Sequence, residues 1–441
     1  MKKERFKGAK AVIISFFVLL FLGAAVALVI PLRPDYSEAE KRELTKFPEF
    51  SFSALADGSF FNGISTWYAD TFPFREIFIG ASSKIKSFYG IGDSISGFSD
   101  SAADEIPDTN ENTPPVTLPV IEETTQEQIK QEQTTKKQPT ADEPLVQNLG
   151  TVLVVGDAAY EYYTFIKKTA DKYAATVNTV ALSLKDKANV YDIVVPTSTD
   201  ITLPASVRKG LNTSNQKDAI NYIYSVLASD VMKVNTFDSL YAHRGEYVYF
   251  RTDHHWTALG AYYAYCEFAK SADKTPASLT DFEEKQFDGF YGAFYNDTKK
   301  NAALAKNPDT VYAYAPKGNV KLTFIDQKGN ELKWSVITDV TDWTATSKYS
   351  TFIGGDNPYT HIVNEDITDG SSCVVIKESF GNAFVPFLTS NYSEIHVIDY
   401  RYWKGSVAEF VTENGVDDVI FINNISATRN NSLVDKLSKT V

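Results

Sequence analysis

The chain of 441 residues has only two cysteines, two methionines and five histidines, and it has no excess of basic residues. Cys266 and Cys373 cannot form a thiolate zinc cluster or a dense disulfide framework, and we expect two buried thiols or, if the fold joins them, one disulfide. A net charge of −13 disfavours nucleic acid as a partner, because phosphate binding depends on Lys and Arg. The sequence also lacks the G-x-S-x-G, Walker, C-x-x-C and H-E-x-x-H motifs, so nothing local indicates a nucleotide, thiol-redox or zinc-protease site.

A single long apolar run lies close to the N-terminus. Five basic residues within the first ten positions precede the run at 11–30, which as a helix is about 30 Å long, the thickness of a bilayer core. The basic flank predicts a cytoplasmic tip, a single-pass membrane anchor and an extracytoplasmic C-terminal part. A cleaved signal peptide is the alternative, with Ala25 and Ala27 as the small residues before cleavage, and the protein would then be secreted.

Composition divides the chain into four segments. Residues 1–33 are the cytoplasmic tip and anchor, and residues 34–100 are a helical lead-in whose aromatic residues we expect to pack on the main domain. Residues 101–147 contain six prolines and ten acidic residues against three lysines, which predicts a disordered linker that carries more than half of the net charge. Residues 148–441 form the main domain.

The main domain has the pattern of an α/β fold. Short β-branched apolar strands alternate with helical patterns, which predicts a mostly parallel sheet covered on both faces. The predicted strands are Thr151–Val155, Val190–Pro196, Glu246–Arg251, Val311–Tyr314, Lys321–Ile325, Cys373–Ile376, Glu394–Ile398 and Val419–Ile422. The predicted helices are Tyr160–Lys187, Lys217–Lys233, Thr257–Ala272, Phe380–Leu388, Val407–Glu413 and Ser432–Lys439.

Two adjacent histidines beside a carboxylate lie between a predicted strand and a predicted helix. In an extended segment, Asp253 and His255 point to one side and His254 to the other. A carboxylate beside an imidazole fixes its tautomer and stabilises the imidazolium, as a general base requires. The alternatives are a helix cap by Asp253 with packed histidines, or a metal site.

The candidate nucleophile is Ser379. It follows the predicted strand Cys373–Ile376 and precedes the predicted helix Phe380–Leu388, so it lies at a strand-to-helix turn that can expose a side chain at the sheet edge. The backbone N–H groups at the start of that helix can stabilise an oxyanion. A serine that only caps the helix is the alternative.

At Asp253-His254-His255-Trp256 the sequence resembles the DHHW protein family of Gram-positive bacteria, which is named for this tetrapeptide. That family is similar to the AlgX/AlgJ-like group of alginate O-acetyltransferases. The resemblance extends from the Phe72–Arg75 region to Glu378–Gly381. It implies an SGNH-hydrolase-like, flavodoxin-like three-layer sandwich with a circularly permuted motif order, in which the histidine precedes the serine.

The resemblance also implies residue roles. The acid-x-His-Trp block and the later serine turn of the alginate group place a catalytic triad on Asp253, His255 and Ser379, with Glu378 where that group commonly has Asp. His254 is expected to support the triad without reacting. Further candidates for oxyanion or substrate contacts are Asn382, Gly355, Asn357, Arg401 and Trp256.

The implied function is acyl-ester chemistry on a cell-envelope or secreted polysaccharide, through an acyl-enzyme on Ser379 and with neither metal nor cofactor. Water as acceptor makes an O-acetylesterase. A sugar hydroxyl makes an O-acetyltransferase, with a membrane-bound O-acyltransferase as the expected acetyl donor. The alternatives are a non-catalytic envelope protein of the same fold, which binds glycan or belongs to an export complex, and a metal-dependent hydrolase that uses Asp253, His254 and His255.

Overall fold

The structure is a computed structural model that describes residues 36–37, 42–43, 45–52, 55, 59–72, 103–107 and 146–441. The chain divides into two compact units, residues 1–92 and 93–441. Among the described residues, no helix is both long and apolar enough to cross a bilayer. The predicted anchor at 11–30 lies outside them.

The first unit contains a small strand pair and one helix. Strands β1 (Tyr36–Ser37) and β2 (Arg42–Glu43) pair antiparallel, and helix α1 spans Ser59–Asp70. The ring of Phe47 contacts that of Trp67 edge-on, with centroids 4.9 Å apart. Helix α1 lies within the predicted lead-in, whose helical character and packing on the main domain stay predictions.

The second unit carries the remaining described elements. Its strands are β3 (Val146–Asn148), β4 (Val152–Val155), β5 (Ala158–Glu161), β6 (Asn189–Val195), β7 (Val231–Lys233), β8 (Phe282–Phe290), β9 (Asp309–Pro316), β10 (Val320–Ile325), β11 (Glu331–Trp334), β12 (Tyr359–Asn364), β13 (Ser372–Lys377), β14 (Glu394–Asp399) and β15 (Asp418–Asn424). Its helices are α2 (Lys167–Ser183), α3 (Ser198–Ile201), α4 (Ala205–Arg208), α5 (Gln216–Val226), α6 (Phe237–Ala242), α7 (Ala258–Ser271), α8 (Ala293–Asp297), α9 (Ala302–Ala305), α10 (Gly381–Leu388), α11 (Val407–Asn414), α12 (Ile425–Arg429) and α13 (Asn431–Leu437).

The central sheet has the strand order β11-β10-β12-β14-β13-β15-β6-β7. The five strands from β14 to β7 run parallel, whereas β12, β10 and β11 extend the sheet with antiparallel pairings. The central strands β13 and β15 are buried along their whole length, as strands covered on both faces must be. The predicted α/β fold with a mostly parallel sheet is therefore confirmed.

Helices cover both faces of this sheet. On β6, the Asp192 carboxylate accepts a hydrogen bond from the Tyr173 hydroxyl of α2 (2.5 Å), whereas the adjacent Tyr191 ring contacts Phe268 of α7, with centroids 5.1 Å apart. Because successive side chains of a strand point to opposite faces, α2 and α7 lie on opposite sides of the sheet. The domain is a three-layer sandwich.

Three predicted elements differ from the structure. The helix predicted over Lys217–Lys233 ends at Val226, because Val231–Lys233 pairs with β6 as strand β7. Glu246–Arg251 is not a strand, because the chain turns back on itself there and only a single bridge joins Tyr249 to Trp256. The helix predicted from Tyr160 begins at Lys167, because Ala158–Glu161 pairs with β4 as strand β5. Helix α7 forms as predicted, and the Thr257 hydroxyl caps it by accepting the Gly260 N–H.

Both ends of the predicted linker are part of the second unit. The Asp104 carboxylate accepts the N–H of Lys167, the first residue of α2 (2.8 Å), and the Asp104 N–H donates to the Phe165 carbonyl (3.0 Å). Val146–Asn148 pairs with β4, so the folded domain includes residues before 148. The sequence between 108 and 145 lies outside the described residues. Cys266 in α7 and Cys373 in β13 are both free thiols.

Candidate active site

The candidate site lies at the carboxyl ends of the parallel strands. Ser379 follows the end of β13 at Lys377, and α10 begins two residues later at Gly381. The segment that carries Asp253 and His255 ends at the N-terminus of α7. The end of β13 and the start of α7 therefore bring together His255 and Ser379, which are more than 120 positions apart in the chain.

Asp253, His255 and Ser379 form one hydrogen-bonded chain. His255 Nδ1 lies 2.5 Å from Asp253 Oδ1, and His255 Nε2 lies 2.7 Å from Ser379 Oγ. All three are buried, and the Ser379 side chain keeps only 9% exposure. With Nδ1–H donated to the carboxylate, Nε2 is free to accept the hydroxyl proton of Ser379, which is the geometry of a nucleophile and its general base. The structure thus brings the three predicted residues together, and their roles stay a prediction.

Backbone amides hold the Asp253 carboxylate in place. Its Oδ1 also accepts the N–H of His255 (2.9 Å), and its Oδ2 accepts the N–H of Ala293 (2.7 Å). Burial acts to raise the pKa of Asp253, but the neighbouring imidazoles of His255 and His254 and these hydrogen bonds outweigh it and hold the pKa well below its usual range. Asp253 is therefore an anion that orients His255 and stabilises its protonated form.

A second buried carboxylate, Asp309, fixes the turn before Asp253. Its Oδ2 accepts both the N–H (2.7 Å) and the hydroxyl (2.6 Å) of Thr252, and its Oδ1 accepts the N–H of Arg251 (3.0 Å). The Thr252 hydroxyl oxygen in turn accepts the N–H of Gly292 (3.1 Å). This network ties the segment that carries the triad acid to the β8–α8 connection.

Two aromatic residues position the Ser379 turn. The indole Nε1 of Trp256 donates to the Phe380 carbonyl (3.0 Å), and the hydroxyl of Tyr349 donates to the Ser379 carbonyl (3.0 Å). Trp256 is completely buried, and an oxyanion or substrate contact for it stays a prediction. It holds the nucleophile turn in place from the protein interior.

Glu378 stands where the alginate group commonly has Asp. Its carboxylate makes hydrogen bonds within the turn that carries Ser379. Its Oε2 accepts the Phe380 N–H (3.2 Å) and lies 3.1 Å from Ser379 Oγ, while its Oε1 accepts the N–H of Asn424 (2.9 Å). The carboxylate therefore joins the ends of β13 and β15. It also offers the Ser379 hydroxyl a second acceptor, in competition with His255.

The residues predicted to contact an oxyanion already donate hydrogen bonds to other groups of the protein. The Gly355 N–H donates to the Phe352 carbonyl (2.9 Å), and the Asn357 amide donates to the Gly354 carbonyl (3.2 Å). Asn382 donates its side-chain amide to Asp356 (2.8 Å). These contacts give all three a structural task, and an oxyanion role for any of them stays a prediction.

Arg401 is half-buried and lies in a cluster of charged side chains. Its guanidinium makes two hydrogen bonds to Asp399 (2.6 and 2.8 Å) and an ion pair with Asp356 (2.9 Å). Lys377 bridges the same two carboxylates, at 2.8 and 3.3 Å. The Arg401 side chain keeps 17% exposure, and its contact with a sugar or acyl group stays a prediction.

His254 lies beside the triad and is half-buried. Its ring contacts the His255 ring with centroids 4.0 Å apart. Burial, and then the neighbouring His255, lower the pKa of His254. Asp253, His254 and His255 together could supply metal ligands, but both ring nitrogens of His255 already face Asp253 and Ser379. The geometry therefore favours a serine nucleophile over a metal site here.

Sequence reasoning missed Tyr349, Asp309 and Gly292. Tyr349 and Asp309 lie in the segment between 279 and 362, where the periodicity is weakest, and no motif marks them. An ideal Cβ at Gly292 would lie 2.1 Å from Asp253 Oδ2, so only glycine fits against the triad acid. No local sequence signal could have found these contacts.

The profile of the DHHW protein family matches residues 40–142 and 140–398 of the chain. The chain belongs to the DHHW family. The predicted family membership is confirmed, and the Asp253–Trp256 tetrapeptide contains two of the three hydrogen-bonded residues. No curated protein matches this DHHW protein.

Solved structures that are similar to this chain include other proteins of bacteria. A DHHW family protein from Eubacterium siraeum is 29% identical, over 67% of this chain and 97% of the other, with a TM-score of 0.62. Bacillus cereus PatB1 is 20% identical, over 66% of this chain and 99% of its own, with a TM-score of 0.53, which shows the fold alone. The O-acetyltransferase domain of Pseudomonas putida AlgJ is 12% identical, over 68% of this chain and all of its own, and its TM-score of 0.36 is too low to carry an argument.

Proposed function

We propose that this DHHW protein is a serine acyl-ester enzyme that acts on a polysaccharide of the cell envelope, as an O-acetyltransferase or an O-acetylesterase. The observation that carries the proposal is the hydrogen-bonded chain from Asp253 through His255 to Ser379, with distances of 2.5 and 2.7 Å. Each of the three has the chemistry that its place requires: a carboxylate whose pKa is held low, an imidazole whose Nε2 faces the hydroxyl, and a hydroxyl that can act as nucleophile.

The order of Asp253, His255 and Ser379 in the hydrogen-bonded chain determines the steps of the proposed reaction. His255 Nε2 takes the proton of Ser379 while Oγ attacks the carbonyl carbon of an acetyl ester. The intermediate collapses, the bond to the leaving alcohol breaks, and His255 returns the proton to that alcohol, which leaves acetyl-Ser379. Water or a sugar hydroxyl then attacks the acetyl group with His255 again as base, releasing acetate or an acetylated sugar and restoring Ser379.

During the attack, negative charge develops on the carbonyl oxygen of the acetyl ester, next to the N-terminal end of α10. The amides of Phe380, Gly381 and Asn382 already donate within the turn, to the Glu378 carboxylate, the Glu378 carbonyl and the Ser379 carbonyl. The Ser379 amide has no such partner among the described residues, which makes it the candidate backbone donor. The start of a helix adds positive potential at the same place.

The burial of the nucleophile supports a small acyl group. Ser379 keeps 9% exposure and the His255 ring 9%, so there is little space beside Oγ for a long acyl chain. Acetyl is the acyl group that such a site accommodates with the least rearrangement. The polysaccharide acceptor, the membrane-bound acetyl donor and the extracytoplasmic location rest on the sequence resemblance and on the basic-apolar N-terminus.

The experiment is hydrolysis of a small acetyl ester by the purified full chain. The proposal predicts that Ser379→Ala and His255→Ala each lower the rate at least 10³-fold, in the range lost when a triad member is removed. Ser229→Ala, in the turn before β7, is the control and keeps the wild-type rate. A sugar oligomer added as acceptor distinguishes transfer from hydrolysis, since an acetyltransferase then makes acetylated sugar in preference to acetate.

A non-catalytic envelope protein is the competing interpretation. It predicts that Ser379→Ala binds glycan as the wild type does and that neither turns over an ester, with or without a sugar acceptor. If wild type and both triad variants release acetate at one background rate and form no acetylated sugar, the proposal is wrong.

A further inference from the structure

A second cluster of histidine and carboxylate side chains lies on the antiparallel side of the sheet. His361 of β12 lies directly opposite His396 of β14, and Glu394 lies two positions before His396 on the same strand. Since residues i and i+2 of a strand share a face, all three side chains project from one face of the sheet. Each element that carries them is a regular strand, so the arrangement is rigid.

The donor atoms converge on one point. His361 Nε2 lies 2.6 Å from Glu394 Oε1, and His396 Nε2 lies 3.7 Å from the same oxygen. The two imidazole rings are parallel, with centroids 5.0 Å apart and an interplanar angle of 4°. One donor atom from each residue lies within 4.8 Å of the others.

The surroundings orient one ring and leave the cluster open. The Tyr359 hydroxyl lies 2.8 Å from His396 Nδ1, and the Phe410 ring of α11 contacts the His396 ring edge-on at 5.1 Å. His396 is thereby held with Nε2 towards Glu394. The side chains of His361 and Glu394 keep 31% and 44% exposure, so an ion can enter from solvent.

We propose that His361, Glu394 and His396 bind one divalent transition-metal ion, and that Zn²⁺ is the ion this donor set fits best. Two imidazoles and one carboxylate are a known zinc donor set, which leaves the fourth position to water. At metal–ligand distances of about 2.0–2.1 Å, tetrahedral donors lie about 3.3 Å apart, between the 2.6 and 3.7 Å of the cluster. Tyr359 accepts the Nδ1–H of His396 in that state, as the outer partners of metal-bound histidines do.

The site is separate from the triad. Strand β12 begins at Tyr359, directly after the loop that carries Asp356, and β14 ends at Asp399. An ion between the two strands joins them below the Asp356–Arg401–Asp399 cluster. Metal binding is therefore expected to raise the midpoint of thermal unfolding, because the ion binds only the folded arrangement.

The experiment titrates the metal-stripped full chain with ZnCl₂ by calorimetry and with CoCl₂ by visible absorption, which reports tetrahedral coordination. His361→Gln should abolish binding at this site, and Tyr359→Phe should weaken it by about 10–100-fold. His243→Gln is the matched control, since His243 also pairs with a glutamate, Glu246, at 2.7 Å but has no second histidine. His254→Gln tests whether the ion binds beside the triad instead.

The proposal expects one bound ion, lost in His361→Gln and kept in both His243→Gln and His254→Gln. Absence of binding to the wild type shows that the cluster is only a histidine–glutamate hydrogen-bond network, and overturns the proposal. Binding that survives His361→Gln, or that disappears in His254→Gln alone, also overturns it.

Discussion

The ring of Tyr349 lies flat on the imidazole of His255, with centroids 4.0 Å apart and an interplanar angle of 14°. The same side chain donates its hydroxyl to the Ser379 carbonyl. Burial, then the negative charges of Glu378 and Asp253, raise the pKa of Tyr349 well above its ordinary value, so the hydroxyl stays a donor. One residue therefore restrains both the His255 ring and the Ser379 turn.

Substitution of Tyr349 should separate these two restraints. Tyr349→Phe keeps the stacked ring, and the Ser379 carbonyl still accepts the Asn382 N–H, so we expect a loss of less than about threefold in kcat/KM. Tyr349→Leu removes the ring stack, worth about 0.5–1.5 kcal/mol, and should lower kcat/KM by about tenfold. Ester kinetics and thermal unfolding of both variants check this, and equal losses would contradict a role for the stack.

Gly292→Ala should displace the triad acid without removing it. The new Cβ would lie 2.1 Å from both Cβ and Oδ2 of Asp253, so the carboxylate must move away from His255. A shift of about 1 Å can cost about 100-fold in rate, which is the loss we expect in kcat. Gly245→Ala is the control, because an added Cβ there meets nothing within 4 Å. Wild-type kcat in Gly292→Ala would show that the position of Asp253 is unimportant.

Glu378→Ala should destabilise the fold. It leaves the buried N–H groups of Phe380 and Asn424 without an acceptor, and each unsatisfied group costs about 1–3 kcal/mol. We expect the free energy of unfolding in urea to fall by about 2–5 kcal/mol. Glu378→Gln keeps an oxygen for one of the two donors and should lose less. Unfolding midpoints equal to wild type in both variants would refute the structural role.

Asp192→Asn tests a buried carboxyl in the sheet. Burial raises the pKa of Asp192 to about 7, against the opposing hydrogen bond from Tyr173, and its Oδ2 has no partner in the described part of the chain. Between about pH 4 and pH 7, Asp192 is ionised in the unfolded chain but protonated in the folded chain. The free energy of unfolding of wild type therefore falls as the pH rises through this range. The asparagine side chain of the variant cannot ionise. The free energy of unfolding of Asp192→Asn, relative to that of wild type, should therefore rise by roughly 2 kcal/mol between pH 5 and pH 8. A constant difference across that range, in urea unfolding at each pH, would contradict the raised pKa.

The sequence predicts the parts of this molecule that depend on local pattern. Apolar β-branched runs predict β13, β14 and β15, and the Thr257 cap predicts the start of α7. Asp253, His255 and Ser379 are recognisable because two of the five histidines stand together beside a carboxylate, and because the serine lies between an apolar strand and a helix. The expected helix start at Tyr160 fails because pairing with β4 overrides the local pattern.

The parts that depend on tertiary contact could not be predicted. Tyr349 reaches His255 only because the fold brings a weakly patterned segment over the triad, and Arg401 pairs with Asp356 and Asp399 only because the fold brings those carboxylates to its guanidinium. His361 and His396 are 35 positions apart, and only the register of β12 on β14 makes them neighbours. Such contacts leave no periodicity or motif in the sequence.

The most direct measurement is the site of covalent modification by a sulfonyl fluoride, followed by peptide mass spectrometry. We expect one adduct on the full chain, on the peptide that contains Ser379. The adduct should be absent from Ser379→Ala, and it should form much more slowly in His255→Ala. Modification at another serine, or an equal rate in His255→Ala, would contradict the claim that His255 activates Ser379.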